Sequence, residues 1–329
     1  MPSLAKKVHA VAVLAGLLAA LPASAATAIR TFVSASGSDA NVCSISAPCR
    51  SFAAAAAATA PSGEIVVLDS AGYGPLTITQ SLTITAPAGV YAGISVTSGN
   101  GVVIDTPFIN VVLKGLTFVG EGPTQATFGG GLNGIVFSAG GSLTVENCEF
   151  ANFLGAGIGA SASSGVITID GTTFRRNQNG VSLSGSVSAT ISHSKFRQNG
   201  SPSIAVTNAQ AGYTAVQVAD SEILGTGFYG AGVGIMADAT ITNGIVFVAV
   251  LRTTIINFGQ GVVSQSSLSS GGTAIMILGQ NTFNSTATDA VASGPAATAI
   301  IRSYGDNVMF GGAAPGTFSP MPAPGGNKQ

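Results

Sequence analysis

The sequence predicts an all-β solenoid, and three observations lead to that fold class. The first is a pattern written three times, in residues 143–150, 167–174 and 189–196. Each copy opens on an alternating apolar and polar run and closes on phenylalanine. The second is spacing: Phe150 to Phe174 is 24 residues and Phe174 to Phe196 is 22, the range in which stacked repeats occur. The third is period. Apolar residues alternate with polar ones and show no helical spacing, so each repeat is a coil of strands. A coil cannot bury its own apolar side, and stacking gives all of them one core.

The octet defines places. The first, third, sixth and eighth point inward, and the fourth and fifth form a tight turn. After each octet comes a polar turn holding asparagine (Asn152, Asn177, Asn199) and then a short strand, at 157–158, 180–183 and 204–206. The octet recurs at 111–118 upstream and at 216–223, 248–255 and 276–283 downstream.

These repeats resemble the right-handed parallel β-helix proteins of the pectin-lyase-like superfamily, over residues 31–310. The resemblance implies a single-stranded right-handed parallel β-helix of roughly ten coils. It does not imply an activity, because that fold hosts lyases, hydrolases, epimerases and adhesins. Residues 31–39 resemble the lead-in strand of secreted bacterial members.

The chain divides as follows. Lys6 and Lys7 precede an apolar run, and Ala23-Ser24-Ala25 offers a cleavage site. Residues 1–25 therefore read as a secretory signal peptide, and the chain is expected outside the cytoplasm, secreted or periplasmic. Cys43 and Cys49 flank a short loop, which predicts a disulfide in an exported chain. The alanine-rich run 50–60 predicts a short helix. By the resemblance, this helix caps the open N-terminal end within a cap of about residues 31–63. Residues 64–68 are the first buried strand expected, and the β-helix occupies 26–310. The Gly- and Pro-rich residues 311–329 read as a disordered tail.

Composition narrows the partners. Charged residues are 8% of the chain, against about a quarter in ordinary domains. Removing Lys6 and Lys7 leaves 10 basic and 13 acidic side chains, a net charge of −3. No basic stripe exists for a phosphate backbone, so nucleic acid is not expected. No later stretch is long and apolar enough to span a bilayer as a helix. A monomer is expected. With His193 as the sole histidine after residue 25 and Cys148 at an inward place, a His/Cys zinc site is not expected.

Reading the octets vertically aligns the charges. The fourth place holds Lys114, Glu146, Asp170 and Ser192; the fifth holds Asn147, Gly171, His193, Asp220 and Arg252. The seventh holds Glu149, Thr173, Lys195 and Glu222, and the place beyond the octet holds Arg175 and Arg197. Places five, seven and nine are expected to share an outward aspect. This predicts a patch of His193, Lys195, Arg197, Arg175, Asp220, Glu222 and Arg252. Arg, Lys, His and an acid could neutralise a uronate carboxylate, remove the adjacent proton and protonate an oxygen. They could equally form a ladder of compensated charges, with Asp220 between His193 and Arg252 and Glu222 beside Lys195. Glu146 and Asp170 stack and could hold a calcium ion; no other cofactor is indicated. Two insertions, at 120–133 with Phe128 and at 224–232 with Phe228 and Tyr229, offer aromatic surfaces for stacking on sugars.

In the resembling lyases and galacturonases, catalysis sits on the strand after the long turn. Its outward places here are Ser182, Ala205, Met236 and Val263, without acid, base or metal ligand. The leading expectation is an extracellular or envelope protein that contacts polysaccharide or another surface without catalysis. A lyase or epimerase acting on uronates through Arg175, Lys195 and Arg197 is one alternative. A passive structural or adhesive scaffold is the other.

Overall fold

The computed structural model describes residues 27–121, 130–208, 212–225, 232–266, 271–284, 286–294 and 298–310, and the backbone of 319–320. The chain winds through three parallel sheets, which hold twelve, ten and nine strands among the described residues. Each coil contributes one strand to each sheet, and every strand pairs with its equivalent in the coils before and after. Setting aside the leading strand Ala28–Val33 and the final pair Ser319–Pro320, the twelve-stranded sheet contains ten coil strands, from Thr59–Val67 to Ala299–Ser303. The right-handed parallel β-helix and its coil count follow the sequence expectation.

The inward places are buried as expected: Leu143, Val145 and Phe150 are fully covered and Cys148 nearly so. Phe118, Phe150, Phe174 and Phe196 stack ring on ring, with centroids 4.4, 5.1 and 4.7 Å apart. The sixth place carries a second column. The Thr172 hydroxyl accepts from the Cys148 backbone N–H at 3.3 Å, Ser194 serves Thr172 at 3.3 Å, and Ser221 serves Ser194 at 3.2 Å. Each polar side chain thus satisfies a turn amide in the coil before it, which lets a buried corner keep its backbone hydrogen-bonded. Burial raises the Cys148 thiol to about 12, so this cysteine is a packed filler rather than a nucleophile.

The fifth place turns the corner in the left-handed region. Gly115 and Gly171 have φ of 70° and 60°, and Asn147, His193, Asp220, Arg252 and Gln280 adopt φ between 47° and 56°.

Three local readings change. The helix is Phe52–Ala58, shorter than 50–60. Ser51 caps its start by accepting from the Ala54 N–H. Thr59 begins the first coil strand, Thr59–Val67, with its hydroxyl on the Ala55 carbonyl. The lead-in strand is Ala28–Val33 rather than 31–39, and it pairs with Thr59–Val67. Asn152 does not align with Asn177 and Asn199. It takes a left-handed φ of 65° two residues after its phenylalanine, where Arg176 and Gln198 have φ of 54°, and Phe153 occupies the inward place instead.

At the N-terminal end Phe52 and Ala55 of the helix are fully buried, and Phe52 meets Tyr73 at 5.1 Å. Cys43 and Cys49 form the expected disulfide. The signal segment and most of the tail lie outside the described residues, and no described helix is long and apolar enough to cross a membrane.

Candidate functional site: a charged corner and an uncharged groove

The predicted charge columns stand in register. Lys114, Glu146, Asp170 and Ser192 are successive partners in the twelve-stranded sheet. Glu149, Thr173, Lys195 and Glu222 are partners in the ten-stranded sheet, as are Arg175 and Arg197. The strands Thr173–Arg175 and Lys195–Arg197 bury only the central phenylalanine, so their flanking residues face water. The left-handed corner throws His193, Asp220 and Arg252 outward beside them.

The pairing differs from the expected ladder. His193 bonds Asp170, one coil back, at 2.7 Å, and not Asp220. Arg252 holds Asp220 through two bonds of 2.7 Å. Glu222 meets Arg197 at 3.5 Å rather than Lys195, and Arg175 pairs with Glu149. Lys114 meets Glu146 at 2.8 Å. His193 and Arg252 leave the left-handed corner and reach back to the preceding coil, whereas Lys114–Glu146, Arg175–Glu149 and Arg197–Glu222 join residues on adjacent strands. Lys195 makes no ion pair among the described residues. Arg176, one place past Arg175, joins the same face and donates to Gln198 at 3.5 Å. Sequence reading passed over it because only the left-handed turn at Arg176 exposes it.

These pairs set the ionisation. Hydrogen bonds from His193 and Ser192 hold the Asp170 carboxyl below its ordinary range, and the bond to Asp170 raises His193. Hydrogen bonding from Arg252 lowers Asp220. Glu146 and Asp170, the calcium candidates, are each engaged by a basic side chain of a neighbouring coil, Lys114 and His193. Among the described residues no group of three or more metal-ligating side chains is assembled.

The nine-stranded sheet carries a different surface. Ser182, Ala205, Met236 and Val263 are successive partners, as expected of the bare strand, and Ala205 and Val263 are themselves buried. Beside Ser182 runs a groove of about 350 Å³ lined by Asn133, Asn179, Ser161, Ser182, Ser184 and small residues that include Gly159. Asn133 is fixed by accepting from the Ala156 N–H at 2.8 Å and donating to Asn100 at 3.0 Å. The Ser161 and Ser182 hydroxyls have no hydrogen bond within the described residues. The floor is open at Gly159, where an added methyl would meet nothing closer than 3.7 Å. No charged side chain lines the groove.

Sequence reading also missed Asp238. It lies two residues past Met236 on the same outer face, paired in register with Thr207 and Gln265. Its Oδ1 has no partner, and desolvation raises its pKa. An acid at alternate places from Met236 was the signal available. Phe128, Phe228 and Tyr229 lie outside the described residues.

Residues 64–243 match the family described as right handed beta helix region. Among solved structures, the crystal structure of pectate lyase Pel9A superimposes with a TM-score of 0.63 at 18% identity. The match covers 90% of this chain and 79% of that one. No curated protein matches the chain in sequence.

Proposed function

Because the chain belongs to the right-handed β-helix family, we propose a role that its surface rather than its fold must define: an extracellular protein that holds polysaccharide without cleaving it. The observation that carries this reading is the groove beside Ser182. Its amides and hydroxyls suit the hydroxyl groups of a neutral sugar chain, and its glycine and alanine floor leaves room for a pyranose ring. The charged corner favours this reading by contrast. Arg175, Arg197, Arg252 and His193 are each engaged by a carboxylate, so little uncompensated charge is offered to an acidic sugar. The Cys43–Cys49 disulfide and the likeness to a pectate lyase fold fit an extracellular setting.

A second reading, a uronate lyase or epimerase, draws on Lys195, which stands two residues before Arg197 on the same strand and makes no ion pair among the described residues. One experiment separates the two. The chain is screened against neutral and acidic glycans, with and without calcium, while unsaturated-uronate absorbance is followed. The expected result is binding to neutral glycans with no absorbance change, lost in Gly159→Tyr and retained in Arg197→Ala. A rise in absorbance, abolished in Lys195→Ala, establishes the lyase instead. No binding to any glycan leaves the passive scaffold.

A further inference from the structure

We propose that Asn243 is a site of non-enzymatic modification, where the side-chain amide closes on the Gly244 nitrogen and reopens as aspartate or isoaspartate. The inference starts from a dipeptide that the fold treats in two ways. Asparagine stands directly before glycine at Asn100, Asn133, Asn179, Asn199 and Asn243. Glycine in second place matters because it carries no side chain, so its nitrogen can approach the side chain before it.

The first four of these sites are locked. Asn100, Asn133 and Asn179 each begin a strand of the nine-stranded sheet. Asn133 donates to Asn100 at 3.0 Å and accepts from the Ala156 N–H at 2.8 Å. Asn179 donates to the Pro202 carbonyl at 2.5 Å. Asn199 is buried, donates to the Phe174 carbonyl at 3.0 Å and accepts from the Asn177 N–H at 3.1 Å. Attacking nitrogens are engaged as well: Gly180 donates to the Ser203 carbonyl and Gly200 to the Asn177 carbonyl, both at 2.8 Å. Closing a ring at these sites breaks bonds that the coil would leave unsatisfied.

Asn243 is held far less. It lies in the turn between the strands Val233–Ala239 and Ile245–Leu251, with a left-handed φ of 60°. Its side chain is exposed and makes no hydrogen bond among the described residues. The Gly244 N–H meets the Ile241 carbonyl at 3.2 Å, longer than the bonds at Gly180 and Gly200. An exposed turn of this kind opens without disturbing the ladders on either side.

The step balances with water as its one co-reactant. The Gly244 nitrogen attacks the Asn243 Cγ. The N–Cγ bond forms, the Cγ–Nδ2 bond breaks, and Nδ2 leaves as ammonia with the proton from glycine. Water then opens the five-membered imide at either carbonyl. One opening gives aspartate. The other gives isoaspartate, in which the main chain runs through Cβ and Cγ. Nothing is oxidised or reduced. Each conversion adds one negative charge to a chain that stands at −3 without residues 1–25.

Fragment-ion mass spectrometry of the full exported chain, incubated at mildly alkaline pH, tests the proposal. Asn243 should gain the mass that replacing an amide NH2 by OH brings, at least about tenfold faster than any of the other four asparagines. The same incubation in concentrated denaturant should bring those four to within a few-fold of Asn243. Asn243→Gln, whose longer side chain would have to close a six-membered ring, should lose most of the acidic species seen on ion exchange. Gly244→Ala is unsuitable as a control, because its methyl would lie 1.9 Å from the buried Asn208 Nδ2. A folded chain in which Asn243 converts no faster than Asn179 overturns the proposal. So does an acidic species undiminished in Asn243→Gln. If Asn243 alone converts in denaturant too, the neighbouring sequence and not the fold selects it, and the proposal is again overturned.

Discussion

The ten-stranded sheet presents the same register on its two faces, and the two faces do opposite things with it. Inside, Phe118, Phe150, Phe174 and Phe196 stack at 4.4–5.1 Å with water excluded. Outside, one residue away on the same strands, Glu149, Arg175, Lys195, Arg197 and Glu222 stack at the same coil spacing in contact with water. The geometry of repetition is common to both. The surroundings decide what it is worth. Removing an aromatic ring from water and packing it between two others is worth several kilocalories per mole. Bringing two charges together at a wet surface is worth about 0–1 kcal/mol.

The largest expected effect follows from the inner column. Phe174 touches a ring above and a ring below, so Phe174→Ala leaves a cavity that neither can fill. A loss of about 3–5 kcal/mol is expected, read as a fall in the denaturation midpoint, and Phe174→Leu should recover more than half of it. If Phe174→Ala costs no more than a surface substitution, the phenylalanine column is not what holds these coils together.

The next effect tests a buried column that is polar. Asn199 accepts the Asn177 backbone N–H at 3.1 Å and donates to the Phe174 carbonyl at 3.0 Å. Asn199→Ala strands both groups in a dry interior, at an expected cost of about 2 kcal/mol. Asn152→Ala, at the aligned-looking asparagine one coil away from Asn177, should cost less than half as much, because Phe153 and not Asn152 faces inward. Equal losses at the two positions would contradict this alignment.

That contrast shows where the sequence was readable. The inward places repeat the same residue types at the same spacing, so coil number, strand order and the vertical charge columns could be read directly. Burial permits few choices and so leaves a pattern. The corner was not readable in the same way. Its left-handed backbone is carried by Asn147, His193, Asp220, Arg252 and Gln280, with glycine at only Gly115 and Gly171, so the usual residue signal is missing. The side chains leaving that corner therefore reach to partners that strand alternation does not predict: His193 bonds Asp170 of the preceding coil rather than Asp220. The groove was unreadable for a further reason. It is a shape made by absent side chains at Gly155, Ala156 and Gly159, and small residues in a chain with 45 glycines draw no attention.

On the outer column, Arg175→Ala should lower stability by about 1 kcal/mol or less, and raising salt should shrink the difference further. Thermal denaturation of the two proteins at low and high ionic strength checks it. A loss matching that of Phe174→Ala would mean that the outer face is drier than its exposure indicates.

The smallest effect is also the sharpest, because it isolates one pair. His193 bonds Asp170 at 2.7 Å, which raises the imidazole and lowers the carboxyl. The signs define a window. The histidine's contribution is complete below its unfolded value near 6.5 and is lost as pH rises through its raised folded value. The aspartate's contribution is present above its unfolded value near 3.8 and is lost as pH falls through its lowered folded value. The pair is thus intact between the two folded values, across mildly acidic pH. The chain has two histidines, His9 and His193, so removal of residues 1–25 leaves a single imidazole resonance to titrate. Asp170→Asn should move that titration down toward 6.5, whereas Asp220→Asn, whose carboxylate is held by Arg252, should move it less. If Asp220→Asn gives the larger shift, His193 faces the next coil rather than the previous one. The corner would then share the straight register of the inner column.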